Sequence, residues 1–315
     1  MRPLSRSANA KRYSLPMPTL DYTILDVFAE RALEGNPLAV FHDGSDLTTE
    51  EMQALALETN LSETTFVIRS GPDACAPDDD AVRVRIFTTQ EELPFAGHPT
   101  LGTATWLWLN DERRKGSETI TLALTAGRIP VRFAADSTQH KTNAEMRQND
   151  PVFVATLDPT ETAHALGLAA DDLLSGHPPK VITTGMAQCI VALRSVEVLS
   201  RLAVPQQTAA PWLESKGAKF AYCLAPTGDA TQWRARMQFY GAEDPATGSA
   251  AGCAITWLVS EGLVAADQLV TITQGVEMHR PSELRVRASF EGGKVCDVRV
   301  GGSTIPVASG RFFLP

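Results

Sequence analysis

The sequence repeats itself at an offset of 151 residues, about half of its length. Each copy contains a predicted strand, a turn with proline and glycine, and a helix of small apolar residues. The matched positions are Pro94 with Pro245, Gly97 with Gly248, and the Thr-Trp-Leu triplets at 105–107 and 256–258. Self-similarity at a fixed offset is typical of an internal duplication. We therefore expect two similar halves.

Each half places a glycine-bearing turn at the start of an apolar helix. Such a helix end offers unpaired N–H donors and a partial positive charge. Two halves related by pseudo-symmetry would direct both ends into one cleft, where a small carboxylate would bind. We expect Gly97 and Pro99 in the first turn, and Thr247, Gly248 and Ser249 in the second, to contact the substrate. The alternative is that both turns only cap helices.

Apolar alternation and β-branched residues predict the strands of both halves. These strands are expected at 22–28, 38–41, 66–68, 82–87, 119–124, 128–133, 152–157, 180–183, 189–193, 220–224 and 234–239. Helices are predicted from Thr48 or Thr49 to about Asn60, over 100–109, and near 208–216. Glu63 then falls between a helix and a strand. The polar segment Asn143–Asp150 is predicted to be a loop near a domain boundary.

Composition excludes several function classes. The chain has 315 residues, 43% of them hydrophobic, which is enough for a core in each half. A net charge of −9 argues against nucleic-acid binding. Five scattered cysteines without a CxxC pair indicate neither a disulfide framework nor a zinc site, and they favour reduced thiols in the cytoplasm. The sequence contains no apolar run long enough to cross a membrane.

A further series of motifs runs in order from residue 22 to the C-terminus. The motifs are DVF at 26–28, GNPLAV at 35–40, NLSETTF at 60–66, PFAGHPTLG at 94–102, EDPATGSA at 243–250, QG at 274–275, RPS at 280–282 and VGG at 300–302. Together they resemble the PhzF-like (phenazine biosynthesis) isomerases. The resemblance implies an α+β fold of the diaminopimelate-epimerase type. That fold has two pseudo-symmetric half-domains, each a mostly antiparallel β-sheet rolled around a central α-helix, in agreement with the repeat.

These observations suggest a division of the chain. Residues 1–18 carry four basic residues and no acid in their first 16 positions; we expect a flexible extension, with a transit peptide as the alternative. Residues 19–130 with 300–315 form the predicted first half-domain, which carries Glu63 and His98. Residues 131–299 form the predicted second half-domain, which carries Asp244 and Ser249. The resemblance also allows a homodimer.

The resemblance implies three catalytic residues: the glutamate Glu63, the histidine His98 and the aspartate Asp244. In phenazine producers the family's substrate is a dihydro-hydroxyanthranilate, and the glutamate moves a proton between two ring carbons. A carboxylate that removes a proton and returns it suits a partly buried site, because burial raises its pKa. His98 can set the protonation of its neighbours, and Asp244 can hold a substrate amine or hydroxyl. No metal or other cofactor is expected.

Two other functions stay open. Epimerases and racemases of this fold use one cysteine in each glycine turn, but neither PFAGHP nor DPATGS contains cysteine, and Cys253 lies further along the second helix. A non-catalytic binding protein could also retain the fold. Taken singly, Glu63 would be an ordinary surface carboxylate and Asp244 a helix N-cap. His279 replaces the family's usual glycine before RPS, where a positive φ is expected.

Overall fold

A computed structural model of the chain describes residues 19–239 and 241–314. The first half contains the following elements: β1 (Thr19–Val27), β2 (Asn36–Phe41), α1 (Thr49–Thr59), β3 (Glu63–Ile68), β4 (Val82–Phe87), β5 (Glu92–Leu93), α2 (Gly97–Asn110), β6 (Thr119–Leu124), β7 (Gly127–Phe133) and β8 (Thr142–Arg147). The expected extension at residues 1–18 lies outside the described residues.

The second half repeats this order with added short helices. Its elements are β9 (Val152–Thr156), α3 (Pro159–Ala165), β10 (Lys180–Thr183), β11 (Ala187–Ala192), α4 (Val196–Ser200), α5 (Gln206–Ser215), β12 (Phe220–Pro226), β13 (Gln232–Arg236), β14 (Gln238–Phe239), β15 (Ala242–Glu243), α6 (Gly248–Ser260), β16 (Val270–Gln274), β17 (Ser282–Glu291) and β18 (Lys294–Phe313). Two 3-10 turns lie at Ala170–Asp172 and Val276–Met278.

The strand pairings of the two halves correspond. In the first half, β2–β3 and β4–β6 are parallel and the other neighbours are antiparallel. In the second half, β11–β12 and β13–β16 are the parallel pairs. The long strand β18 pairs with β17, β8 and β1, so it joins the two halves and closes the first into a barrel. The predicted α+β architecture is confirmed.

A buried helix occupies the centre of each half. Helix α2 contacts strands on several sides of the first barrel, and α6 does the same in the second half. Residues 97–107 of α2 and 248–259 of α6 are all buried. The two helices begin 151 residues apart, at the offset of the sequence repeat. A helix that is apolar all round is stable in this position because protein surrounds it on every side.

Local signals account for most element ends. Helix α1 begins with a capping box between Thr48 and Glu51 and ends at Asn60, which is left-handed, so this prediction is confirmed. Glu63 opens β3, directly after that helix. Helix α2 begins at Gly97, three residues before the predicted start. Its third residue is Pro99, whose missing N–H costs nothing in the first turn.

The predicted loop at 143–150 is wrong for residues 143–147, which lie in β8. The even-numbered residues of this strand are buried, whereas the odd-numbered ones are at least partly exposed. Glu145, on the exposed face, forms ion pairs with Arg287 and Arg299. Polar composition therefore concealed an alternating strand, because its polar residues pair with charges on neighbouring strands.

The boundary between the half-domains stays a prediction. The sheet runs continuously through β18, which crosses residue 300, and β7 crosses residue 130. No helix in the described part of the chain is long and apolar enough to cross a membrane.

The two central helices meet end to end. A Cβ atom added at Gly97 would lie 2.5 Å from the Cα and C atoms of Gly248 and 2.6 Å from the nitrogen of Ser249. These neighbours are backbone atoms, which cannot rotate away as a side chain does. Only glycine at position 97 permits this approach of the two helix ends.

We expect Gly97→Ala to destabilise the protein by about 1–3 kcal/mol, because overpacking against backbone outweighs the gain in helix propensity. The matched control is Gly102→Ala in the same helix. Its Cβ would meet side-chain carbons of Leu38 and Val27, which can shift in part. Thermal unfolding should give a midpoint several degrees lower for Gly97→Ala than for Gly102→Ala. Equal midpoints would contradict the backbone constraint.

Candidate active site

The three predicted catalytic residues come together where the central helices meet. Glu63 is the first residue of β3, His98 is the second residue of α2, and Asp244 directly follows β15. Their exposed fractions are 8%, 2% and 3%. His98 Nε2 lies 3.5 Å from Glu63 Oε2, longer than an ordinary hydrogen bond. The structure thus brings together residues that are up to 181 positions apart in the chain.

Asn36 connects the two halves of this cluster. Its amide nitrogen donates to Asp244 Oδ1 at 2.7 Å and to the carbonyl of Ala246 at 2.9 Å, and it lies 3.1 Å from His98 Nδ1. The two oxygens can only accept, so they fix which end of the amide faces them. The side chain is fully buried at the first position of β2.

This arrangement assigns the tautomer of His98. The Asn36 nitrogen cannot accept a hydrogen bond, so a proton on His98 Nδ1 would face a donor, and the neutral ring therefore favours the tautomer with its proton on Nε2, on the side of Glu63. Burial lowers the pKa of His98 to about 3. His98 is therefore a neutral ring whose Nε2 lies near the Glu63 carboxyl group without a hydrogen bond to it among the described residues.

Asp244 is held by several donors. Thr247 Oγ1 donates to Asp244 Oδ2 at 2.6 Å, and Asn36 donates to Oδ1. Burial raises the pKa of Asp244 to about 6, although hydrogen bonds from Thr247, Ser62 and Asn36 favour its ionised form. These hydrogen bonds offset part of the effect of burial and favour a negative charge at Asp244.

Gln274 supports this loop from behind. Its Nε2 donates to the carbonyl of Asp244 at 2.8 Å and to Thr247 Oγ1 at 3.0 Å. Its Oε1 accepts from the backbone N–H of Thr247 at 3.0 Å and from the hydroxyl of Tyr222 at 2.9 Å. Every polar atom of the Gln274 side chain has a partner, so the start of α6 is held rigidly.

Glu63 differs from Asp244 because its Oε2 is buried and has no hydrogen-bond partner among the described residues. Burial raises the pKa of Glu63 well above its usual range, and the negative charge of Asp244 raises it further. A carboxyl group with a raised pKa exchanges protons near neutral pH. Among the residues of this cluster, Glu63 is thus the one whose environment best suits proton transfer.

The helix ends add a positive potential beside Glu63. Neither N-cap residue, Ala96 or Thr247, uses its side chain to cap its helix, so Asp244 is not the N-cap of α6. The first-turn N–H groups of both helices keep their capacity to bind an anion. The predicted substrate-binding residues Gly97, Pro99, Thr247, Gly248 and Ser249 are all in or beside these two turns and are buried.

Asn36, Gln274 and Tyr222 belong to this network of hydrogen bonds but were not predicted from the sequence. Asn36 and Gln274 lie inside motifs that carried the family resemblance, and each is a polar amide at one end of an apolar strand. That position was the available signal. Tyr222 gave no signal, because an aromatic residue in a strand normally belongs to the core.

Neither the cysteine in α6 nor a group of metal-ligating side chains adds to this cluster. Cys253 is buried inside α6, as expected, and burial raises its pKa to about 12. Its thiol donates to the carbonyl of Ile182 at 3.3 Å. Among residues 19–239 and 241–314, no group of three or more His, Cys, Asp and Glu side chains is placed to hold a metal ion.

His279 has a φ of 58°, which confirms the positive φ expected there.

Comparison with known families places this cluster in context. The sequence model of the phenazine biosynthesis-like protein family (PhzC-PhzF) matches residues 25–310. The chain belongs to this family. Trans-2,3-dihydro-3-hydroxyanthranilate isomerase of Pseudomonas aeruginosa is 38% identical over 297 residues, which cover 93% of this chain and 99% of that protein. Other relatives are also named isomerases, and the chain is an isomerase of this family.

Solved structures share the whole fold. A predicted epimerase from Pseudomonas aeruginosa has a TM-score of 0.80 at 37% identity and covers 94% of this chain and 100% of its own. A PhzF-family phenazine biosynthesis protein from Bacillus anthracis has a TM-score of 0.77 at 26% identity, with 95% and 100% covered. The resemblance to PhzF-like isomerases stated from the motifs is confirmed.

A separate groove of about 760 Å³ lies against β7, β8, β17 and β18. Its lining includes Trp108, Phe133, Glu145, Leu269 and Arg285, and none of Glu63, His98 and Asp244. Its size does not make it the site of proton transfer, because it lacks a buried group with a raised pKa.

We expect His98 to stay neutral throughout the physiological pH range, because burial lowers its pKa to about 3. NMR of a protein labelled with ¹³C-histidine measures this directly. The His98 signal, identified by its loss in His98→Asn, should not shift between pH 5 and pH 8. A titration midpoint inside that range would contradict the neutral ring.

Glu63→Gln should stabilise the protein above pH 7. The folded protein holds the Glu63 proton more tightly than the unfolded chain does, so this stability is present below the ordinary pKa near 4.5 and is lost as the pH rises. Each pKa unit of difference corresponds to about 1.4 kcal/mol. At pH 8, thermal unfolding should give a higher midpoint for the variant than for the wild type. The difference between the two midpoints should become smaller at pH 4.5.

The control is Glu58→Gln, the same substitution at an exposed carboxylate of α1. It should leave the midpoint within about 1 °C of the wild type at both pH values. If Glu63→Gln is less stable than the wild type at pH 8, the ionised Glu63 carboxylate does not destabilise the folded protein.

Proposed function

We propose that this isomerase transfers a proton within a small, unsaturated carboxylic acid and that Glu63 both removes and returns the proton. The proposal rests on the buried carboxyl oxygen of Glu63, which has no partner in the described part of the chain and lies beside two helix N-termini. No cofactor takes part in the proposed step.

The chemistry balances with one acid–base group. Glu63 takes a proton from a carbon that is alpha or vinylogous to the substrate carboxylate, and the electron pair of the C–H bond delocalises into that carboxylate. The protonated Glu63 then returns the proton to a second carbon of the conjugated system. Negative charge accumulates on the substrate carboxylate, where first-turn N–H groups of α2 and α6 would stabilise it.

His98 and Asp244 have separate parts in this proposal. The Nε2–H of His98 faces Glu63 and stabilises the carboxylate form when the proton leaves. The negative charge of Asp244 raises the pKa of Glu63, which keeps the glutamate basic. Asp244 also suits an amine or hydroxyl of the substrate, because a buried carboxylate accepts hydrogen bonds strongly.

Proton return to the same substrate face favours an isomerase over an epimerase. An epimerase needs an acid and a base on opposite faces of one carbon. The counterpart of Glu63 in the second half is Phe220, since each opens the strand that pairs in parallel with the preceding one. Phe220 has no ionisable group, so the second half carries no acid or base at the strand position that corresponds to Glu63.

Deuterium uptake tests this function. We expect the wild type to incorporate one deuterium from D₂O into trans-2,3-dihydro-3-hydroxyanthranilate or a related unsaturated amino acid, followed by NMR. Glu63→Gln should slow the exchange at least 1,000-fold, because it removes the proton carrier. Glu63→Asp keeps the carboxyl group and should retain a measurable rate.

Ligand binding to Glu63→Gln serves as the control and should stay within about tenfold of the wild type. Exchange that continues at the wild-type rate in Glu63→Gln would overturn the role of Glu63. Binding of the same acids to the wild type without exchange would instead support a binding protein.

A further inference from the structure

Gln188 is the second residue of β11, and its side chain is unusual among the buried amides of this protein. It is 0% exposed, and neither its Nε2 nor its Oε1 has a hydrogen-bond partner among the described residues. A buried amide without partners destabilises the folded protein, because its donor and acceptor have lost their bonds to water. Gln274, by contrast, has partners for both amide atoms.

The side chain of Gln188 lies on the inner face of the second half. Side chains two residues apart share a face of a strand, and Ile190 and Ala192 belong to the core around α6, whereas Cys189 and Val191 belong to the core beneath α3–α5. On the neighbouring strand, Gln188 is in register with Phe220. Gln188 therefore faces inward.

The first residues of β11 and β12 lie at the seam between the two halves. Gly185, three residues before Gln188, packs against the ring of Phe95 from the first half. A Cβ atom added at Gly185 would lie 3.0 Å from Cδ1 of that ring. Lys219, next to Phe220, forms an ion pair with Glu91 at 2.6 Å. Phe95 in turn lies two residues before Gly97, where α2 begins.

Pseudo-symmetry makes Phe220 the counterpart of Glu63 and Gln188 the counterpart of Leu38. Leu38 pairs with Glu63 in parallel β2–β3, and Gln188 pairs with Phe220 in parallel β11–β12. Two residues along β12, Tyr222 bonds to Gln274, which holds Asp244. The strand that carries Phe220 thus reaches the loop of Asp244, so the start of β11, with Gln188 on its inner face, lies on the Asp244 side of the cluster.

We propose that Gln188 determines substrate specificity by hydrogen-bonding a hydroxyl group of the substrate, on the side remote from Glu63. This inference rests on the proposed function, since it assigns a contact within the same cleft. The carboxamide has a free donor and a free acceptor, and a hydroxyl group is the small substituent that both accepts and donates. A substrate without it leaves the amide unsatisfied, which penalises its binding.

A pair of stable aromatic acids tests the contact: 3-hydroxyanthranilate and anthranilate, which differ only by the ring hydroxyl. Isothermal titration calorimetry should show that the wild type binds the hydroxylated acid about tenfold more tightly or better. In Gln188→Met, which keeps the chain length, the two affinities should agree within about threefold. Gln188→Leu serves as a second variant if the first folds poorly.

The outcomes separate a contact from a packing role. If Gln188 only fills space, the variants change the unfolding temperature while the affinity ratio stays as in the wild type, and the proposal is overturned. It is equally overturned if the wild type shows no preference or binds neither acid.

Failure of the proposed function is distinguishable. Loss of the affinity ratio in Gln188→Met alongside a wild type that shows no Glu63-dependent deuterium exchange would leave the Gln188 contact standing and remove the proton transfer. If Gln188→Met keeps the wild-type affinity ratio and the wild type shows Glu63-dependent exchange, the Gln188 contact is overturned and the proton transfer stands.

Discussion

The close contact of two helix N-termini is the constraint on which the rest of the structure depends. Gly97 and Gly248 lie so near each other that a single added carbon would overlap backbone atoms. Both helix ends carry partial positive charge, so their contact is unfavourable unless negative charge lies nearby. Buried Asp244 supplies it, and a bound carboxylate would add to it. The fold therefore prepares an anion site simply by closing the seam between its halves.

The same constraint sets the properties of the two carboxyl groups. Asp244 has hydrogen-bond donors that favour its ionised form, whereas Glu63 Oε2 has none among the described residues and the pKa of Glu63 rises well above the usual range. Two similar side chains therefore have different roles because their surroundings differ. The neutral ring of His98 fits between them, since a cation there would cancel the raised pKa of Glu63.

Much of the fold was predictable because duplication leaves a repeat and core strands leave apolar patterns. The 151-residue offset located the start of α6 relative to α2, and the motifs identified Glu63, His98 and Asp244. Strand β8 was missed because its polar residues are satisfied by arginines from other strands. Asn36 was overlooked as a functional residue, since its acceptors lie more than 200 positions away.

The sequence by itself determined the duplicated α+β architecture, the glycine turns and the family to which Glu63 belongs as a motif residue, because each is recorded in local patterns and motifs. Only the tertiary structure decided which groups are charged. The tautomer of His98, the ionised state of Asp244 and the raised pKa of Glu63 all depend on burial and on contacts between the two halves. Those contacts join residues distant in the chain, so no local pattern encodes them.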